Sequence, residues 1–110
     1  MEFINMTPHV INIIKDNGEV MEILPSGEVA RIEVRRHQVD TINGIDIFET
    51  EYRDYNNYPP PYGHNKGYIV SRMFIEAMKE KAWCTDHLYA PGELVRNEEG
   101  IVIGCKGLSK

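Results

Sequence analysis

Three groups of side chains in this chain have types and spacings that could do chemistry. Arg31, Arg35, Arg36 and His37 fall within seven residues, and a guanidinium fork holds phosphate well through paired hydrogen bonds. The run from Tyr52 to Arg72, YRDYNNYPPPYGHNKGYIVSR, carries five of the six tyrosines, half of the six prolines, His64, Lys66 and two arginines. Tyr55, Tyr58 and Tyr62 offer ring faces for a base, a contact worth roughly 1–3 kcal/mol per base in nucleic-acid binders. Arg53, Lys66 and Arg72 lie close enough in sequence to meet phosphate. Both groups also have plainer readings. Arginines alternating along a strand make a solvated outer face, and tyrosines cover cores or join copies of a chain.

The third group is Cys84-x-x-His87, with Asp86 between. It is a half-site, and a zinc centre needs a second matching pair. The other histidines, His9, His37 and His64, are scattered. His9, after Pro8 at a strand start, suits a ring that ties down a backbone carbonyl. Cys105 sits in an apolar run where a small buried thiol is the usual occupant, and neither cysteine has neighbours that would activate it. There is no phosphate loop, nucleophile elbow or dinucleotide fingerprint. No reaction, metal or cofactor is therefore indicated, although paired acids that meet only in three dimensions would escape this reading.

Composition narrows the partners. The chain has 110 residues, fitting one domain over residues 1–110. Seventeen acids against twelve bases give a net charge of −5, which argues against polymeric nucleic acid. A local arginine cluster can still hold a few phosphates. No apolar run is long enough to span a membrane, and MEFINMTPHVINII lacks the basic start and apolar block of a signal peptide. The expected location is a cytoplasm, where Cys84 and Cys105 would be free thiols.

The elements that must carry these groups are mostly strands. His9–Lys15 and Glu19–Leu24 flank Asn17-Gly18 as a hairpin, with both turn residues expected at positive φ. Val29–Arg35 alternates as a half-buried strand. Gln38–Ile42 and Ile45–Phe48 flank Asn43-Gly44 as a second hairpin. Pro59-Pro60-Pro61 forbids a central strand and favours a stiff, extended path. Tyr68 lies in a short buried strand, Gly67–Val70. Ser71 is placed to cap a helix over Arg72–Ala82, with Phe74, Ala77, Met78 and Ala82 on one stripe. Trp83–Gly92 reads as a loop closed by Pro91-Gly92. Glu93–Arg96 and Ile101–Cys105 form a third hairpin. The fold class expected is α+β: a strand-dominated single domain of about six or seven mostly antiparallel strands, with three hairpins and one helix on the sheet.

Several of these stretches resemble a group of short phage and prophage proteins. The shared pattern is Asn5-x-Thr7-Pro8-His9, then Pro25 to Arg31, Tyr68-Ile69-Val70-Ser71, Pro91 to Arg96, and Gly100 to Leu108. The resemblance spans nearly the whole chain, and Glu51 to Tyr58 is richer in tyrosine than the group. It implies an accessory role in an infected cell: an inhibitor of a host protein, a sequesterer of a host immune signal, or a minor virion or assembly component. Combined with the arginines and tyrosines, it leads to an expected ligand that is small, phosphate-bearing and nucleotide-like, held in the host cytoplasm. Arg31, Arg72 and Arg96 would meet phosphate, Tyr58 and Tyr62 would stack, and His64 or Lys66 would fix orientation. One small domain encloses little volume, so a homo-oligomer is expected to complete the site.

Overall fold

The computed structural model describes residues 1–59 and 65–110. In chain order its elements are β1 (Glu2–Asn5), β2 (Ile11–Ile14), β3 (Val20–Ile23), β4 (Arg31–Ile42), β5 (Ile45–Asn56), β6 (Lys66–Ile69), α1 (Arg72–Glu80), β7 (Leu88–Arg96) and β8 (Val102–Ser109). The fold is α+β and strand-dominated, with three hairpins and one helix among the described residues. Eight strands are described where about six or seven were expected. Six make one sheet in the order β1-β6-β7-β8-β2-β3, while β4 and β5 pair only with each other. The large sheet is mixed: β1–β6, β6–β7 and β2–β8 run parallel, β7–β8 and β2–β3 antiparallel.

The edges of that sheet approach each other, because Asn5 of β1 bridges to Pro25 just beyond β3. Curling gives the sheet an inner and an outer face. Ile11, Ile69 and Cys105 are buried with Ile13, Ile23 and Leu108 around them, forming one core. Val70, Leu88 and Ala90 join Phe74, Ile75, Ala77 and Met78 of the helix in the larger one. Period-two alternation places Ile69 and Val70 in different cores.

Asn5 holds the closure. Its side chain is 1% exposed and fully used: Nδ2 donates to the carbonyls of His9 at 2.7 Å and Ile23 at 3.1 Å, while Oδ1 accepts from the Thr7 amide and hydroxyl. The Asn5 carbonyl accepts from the Ser26 amide, and that of Met6 from Ala30. Asn5-x-Thr7-Pro8-His9 and Pro25 to Arg31, far apart in sequence, are thus two sides of one joint. The joint uses the His9 carbonyl.

Several segments depart from the sequence reading, each for a local reason. Val29–Arg35 and Gln38–Ile42 belong to one strand, β4, and Ile45–Phe48 continues through Tyr52 to Asn56. Asn43 and Gly44 both have positive φ, 53° and 77°, as a two-residue hairpin turn requires. At the first hairpin only Gly18 does (88°). There the Gly18 amide bonds to the Lys15 carbonyl and the Lys15 amide to Glu19, so three residues make the turn. Leu88–Gly92 is strand, not loop: Pro91 faces Leu108 in the ladder. Gly92 lies so close to β8 that a Cβ there would sit 2.8 Å from the Gly107 carbonyl oxygen, so Pro91-Gly92 marks a tight crossing of backbones.

Ser71 caps the helix as expected, its hydroxyl accepting from the Phe74 amide at 3.1 Å. The helix stops at Glu80, two residues before its expected end. The Trp83 amide bonds to the Met78 carbonyl and Ala82 to Lys79, a Schellman ending, with Ala82 at φ 59° where glycine is the usual occupant.

Candidate functional site

The tyrosine-rich segment is built largely into the fold. Tyr58 packs near-parallel over Phe74 with centroids 6.5 Å apart, and meets Trp83 and His87 edge-on at 4.8 and 5.7 Å. Its hydroxyl donates to the Cys84 carbonyl at 2.7 Å. Tyr55 meets the other side of Trp83 at 4.7 Å, and Tyr68 lies against His87. These rings fasten the root of the β4–β5 hairpin to the end of α1 and the start of β7. His87 is buried, and its Nε2–H donates to the Pro59 carbonyl at 2.7 Å. Its Nδ1 has no hydrogen-bond partner among the described residues. They also hold no cluster of three or more His, Cys, Asp or Glu side chains with metal-ligand geometry.

One recess lies where β4 begins and α1 begins. It has a volume of about 460 Å³ and is lined by Arg31, Glu33, Asp54, Asn56, Ser71 and Met73, among others. Two features of the sequence make it. Met6 pairs its amide with Ile69 and its carbonyl with Ala30, which brings Arg31 to the end of β6, where Ser71 opens the helix. Opposite, β5 bulges: Arg31 faces Asn56 but Glu33 faces Arg53, and Asp54 takes a left-handed φ of 50°. A bulge re-aims side chains and is common beside functional sites, and here it turns Asp54 into the recess.

Charge in the recess is mixed. Arg31 and the N-terminal amides of α1, whose first turn holds no acid, favour an anion. Glu33 and Asp54 add carboxylates. Arg35 bonds Glu33 at 3.0 Å, and this hydrogen bond holds the Glu33 carboxyl below the ordinary carboxylate range. Farther along the ribbon Glu51 bridges Arg53 and His37, and those contacts, Arg53 first, lower its pKa as well. Arg53 is thus engaged with Glu51. A second recess, of about 210 Å³, shares no lining residue with the first but is linked to it by the Asn57–Val29 hydrogen bond. It is lined by Met6, Glu28, Asn57, Tyr58, Pro59 and Tyr68, and the Asn57 side chain, bonded to the Val29 carbonyl at 3.0 Å, stands at the boundary.

The residues expected to form a site are only partly gathered. Arg31 lines the first recess and Tyr58 the second. Arg72 follows Ser71 at the helix start, where it bonds the Ser109 hydroxyl and lies 4.0 Å from Glu76. Lys66 begins β6, five residues before Ser71, on the order of 16 Å along an extended chain. Arg96 ends β7 and bonds the Gly100 carbonyl at 2.9 Å, closing its own hairpin. From Pro91, beside Ser109, to Arg96 is a similar distance in the other direction. Tyr62 and His64 lie outside the described residues. Sequence reasoning missed Glu33, Asp54, Asn56 and Met73, since facing them across a recess depends on the bulge and on the Met6 joint. The one signal was Asp54 and Asn57, residue types that tolerate left-handed backbone, in an otherwise strand-like run.

No helix among the described residues is long and apolar enough to cross a membrane. Comparison with protein-family models, with curated proteins and with solved structures finds no match.

Proposed function

We propose that this chain binds a small nucleotide-like ligand from the recess at the start of α1 toward the second recess at Tyr58, and that it acts by sequestering the ligand. The observation that carries the proposal is that Arg31 and the capped N-terminus of α1 open onto one recess. Arg31 would take phosphate, while Arg72 is turned to the Ser109 hydroxyl. Glu33 and Asp54 would repel bare phosphate but accept hydrogen bonds from hydroxyls, as acidic residues do from ribose. That combination favours a phosphorylated sugar over inorganic phosphate. The second recess, walled by Tyr58 and Tyr68, would receive the flat ring. The resemblance to phage and prophage proteins supplies the setting: a nucleotide-derived host immune signal kept from its receptor in the host cytoplasm.

A thermal-shift scan against mononucleotides, cyclic nucleotides and ADP-ribose derivatives tests this. A ligand at about 100 times its Kd adds roughly 2.7 kcal/mol, which should raise the melting temperature by on the order of ten degrees. The ligand should be recovered unaltered, and Arg31→Ala should reduce the shift without lowering the melting point of the free protein. An altered ligand would mean an enzyme. No shift across the panel, or an undiminished one in Arg31→Ala, would end this assignment.

A further inference from the structure

The β4–β5 ribbon leaves the body of the protein. Ile32, Val34 and Tyr52 near its root are half-buried, but all sixteen residues from Arg35 to Thr50 are exposed. An isolated two-stranded ribbon is marginal in water. Its outer part nevertheless carries five large apolar side chains, and the register shows how they divide. Ile42 faces Ile45 and Asp40 faces Ile47, so Ile42, Ile45 and Ile47 share one face of the tip, 53%, 64% and 37% exposed. The opposite face is closed by hydrogen bonds: the Gln38 amide donates to the Thr41 hydroxyl and to Asp46, and Arg36 lies over the Phe48 ring. The isoleucine face, which also carries Asp40 at its edge bonded to the Thr41 amide, leaves its three isoleucines uncovered.

The same chain leaves a second apolar surface uncovered. Val10, Pro91, Leu94, Val102 and Cys105 line an almost wholly apolar groove of about 270 Å³ between β2, β7 and β8. Leu94 in it is 53% exposed.

We infer that the two surfaces cover each other between two copies, the isoleucine face of each ribbon seated in the β2–β7–β8 groove of the other. The argument is one of symmetry and area. A two-fold axis makes both contacts at once and leaves neither surface open, so assembly stops at the dimer. The three isoleucines present on the order of 300 Å² of apolar surface, comparable to the largest patch of a typical monomer, which is often functional. With each groove covered over an area equal to the patch it receives, two ribbons and two grooves bury roughly 1,200 Å², the lower end of the range for stable assemblies. This pairing requires no ligand, so it stands or falls apart from the binding proposal.

Sedimentation velocity on the full chain, without nucleotide, is the test. At about 100 µM the wild type should sediment as a dimer. Ile45→Asp and Leu94→Asp, both at exposed positions, should each weaken dimerisation by at least about 100-fold while leaving the far-ultraviolet circular dichroism unchanged. Mixing the two variants should restore part of the dimer, because the intact ribbon of one finds the intact groove of the other. A monomeric wild type overturns the inference. So does a full dimer in either variant, as tip-to-tip pairing of ribbons would give for Leu94→Asp, or a mixture that stays monomeric.

Discussion

Asn5 shows how a motif can be structural where its residue types suggest function. Asparagine, threonine and histidine within five residues look like reactive groups. In the fold, the Asn5 side chain satisfies two carbonyls, one amide and one hydroxyl, all of them where the sheet edges meet. Replacing it leaves buried groups without partners, each costing about 1–3 kcal/mol. Asn5→Ala is therefore expected to lower stability by about 2–4 kcal/mol in urea denaturation, with any ligand affinity that survives unchanged at saturating folded protein. Residue types alone did not reveal this, since what Asn5 bonds to depends on the placement of Ile23 and Ser26. Tyr58 is similar. Its chemistry was visible in the sequence, but its neighbours Phe74, Trp83 and His87 come from three later segments.

Elements were more legible where a local signal was strong. Asn43-Gly44 fixed its turn, Ser71 fixed the helix start, and alternation found the β4 strand. The misreadings cluster where backbone geometry is unusual for the residue present. Ala82 hid the end of α1 because nothing but its left-handed φ distinguishes it from another helical alanine. A β-carbon there costs about 1–2 kcal/mol in that conformation, a cost glycine avoids. Ala82→Gly should thus stabilise the protein by about 0.5–1 kcal/mol, seen as a higher urea midpoint with an unchanged slope. Pro91-Gly92 misled in the opposite sense. A dipeptide that usually ends strands here lets two strands pass closely.

For the molecule as a whole, class was readable and pairing was not. Three hairpins follow from their turns, but the parallel contacts of β1 with β6 and of β2 with β8 join segments on the order of sixty to ninety residues apart, and no local pattern encodes them. The candidate recess belongs to this level. It exists only because the Met6 joint, the Asp54 bulge and the start of α1 converge.

The place of β8 in the sheet also bears on how the protein is made. It is the last strand in the chain, yet it lies between β7 and β2 in the middle of the order. Until it leaves the ribosome, the β2–β3 hairpin lacks its neighbour in the sheet, and the inner core lacks Cys105 and Leu108. The six-stranded sheet must therefore wait for residues 102–109 before it can close, and cannot form strand by strand as β1 to β7 emerge. A nascent chain arrested with residues 102–109 still in the exit tunnel should be cut by protease as readily as an unfolded one, whereas the released chain resists. Resistance in the arrested chain would show that residues 1–101 stand without their central strand.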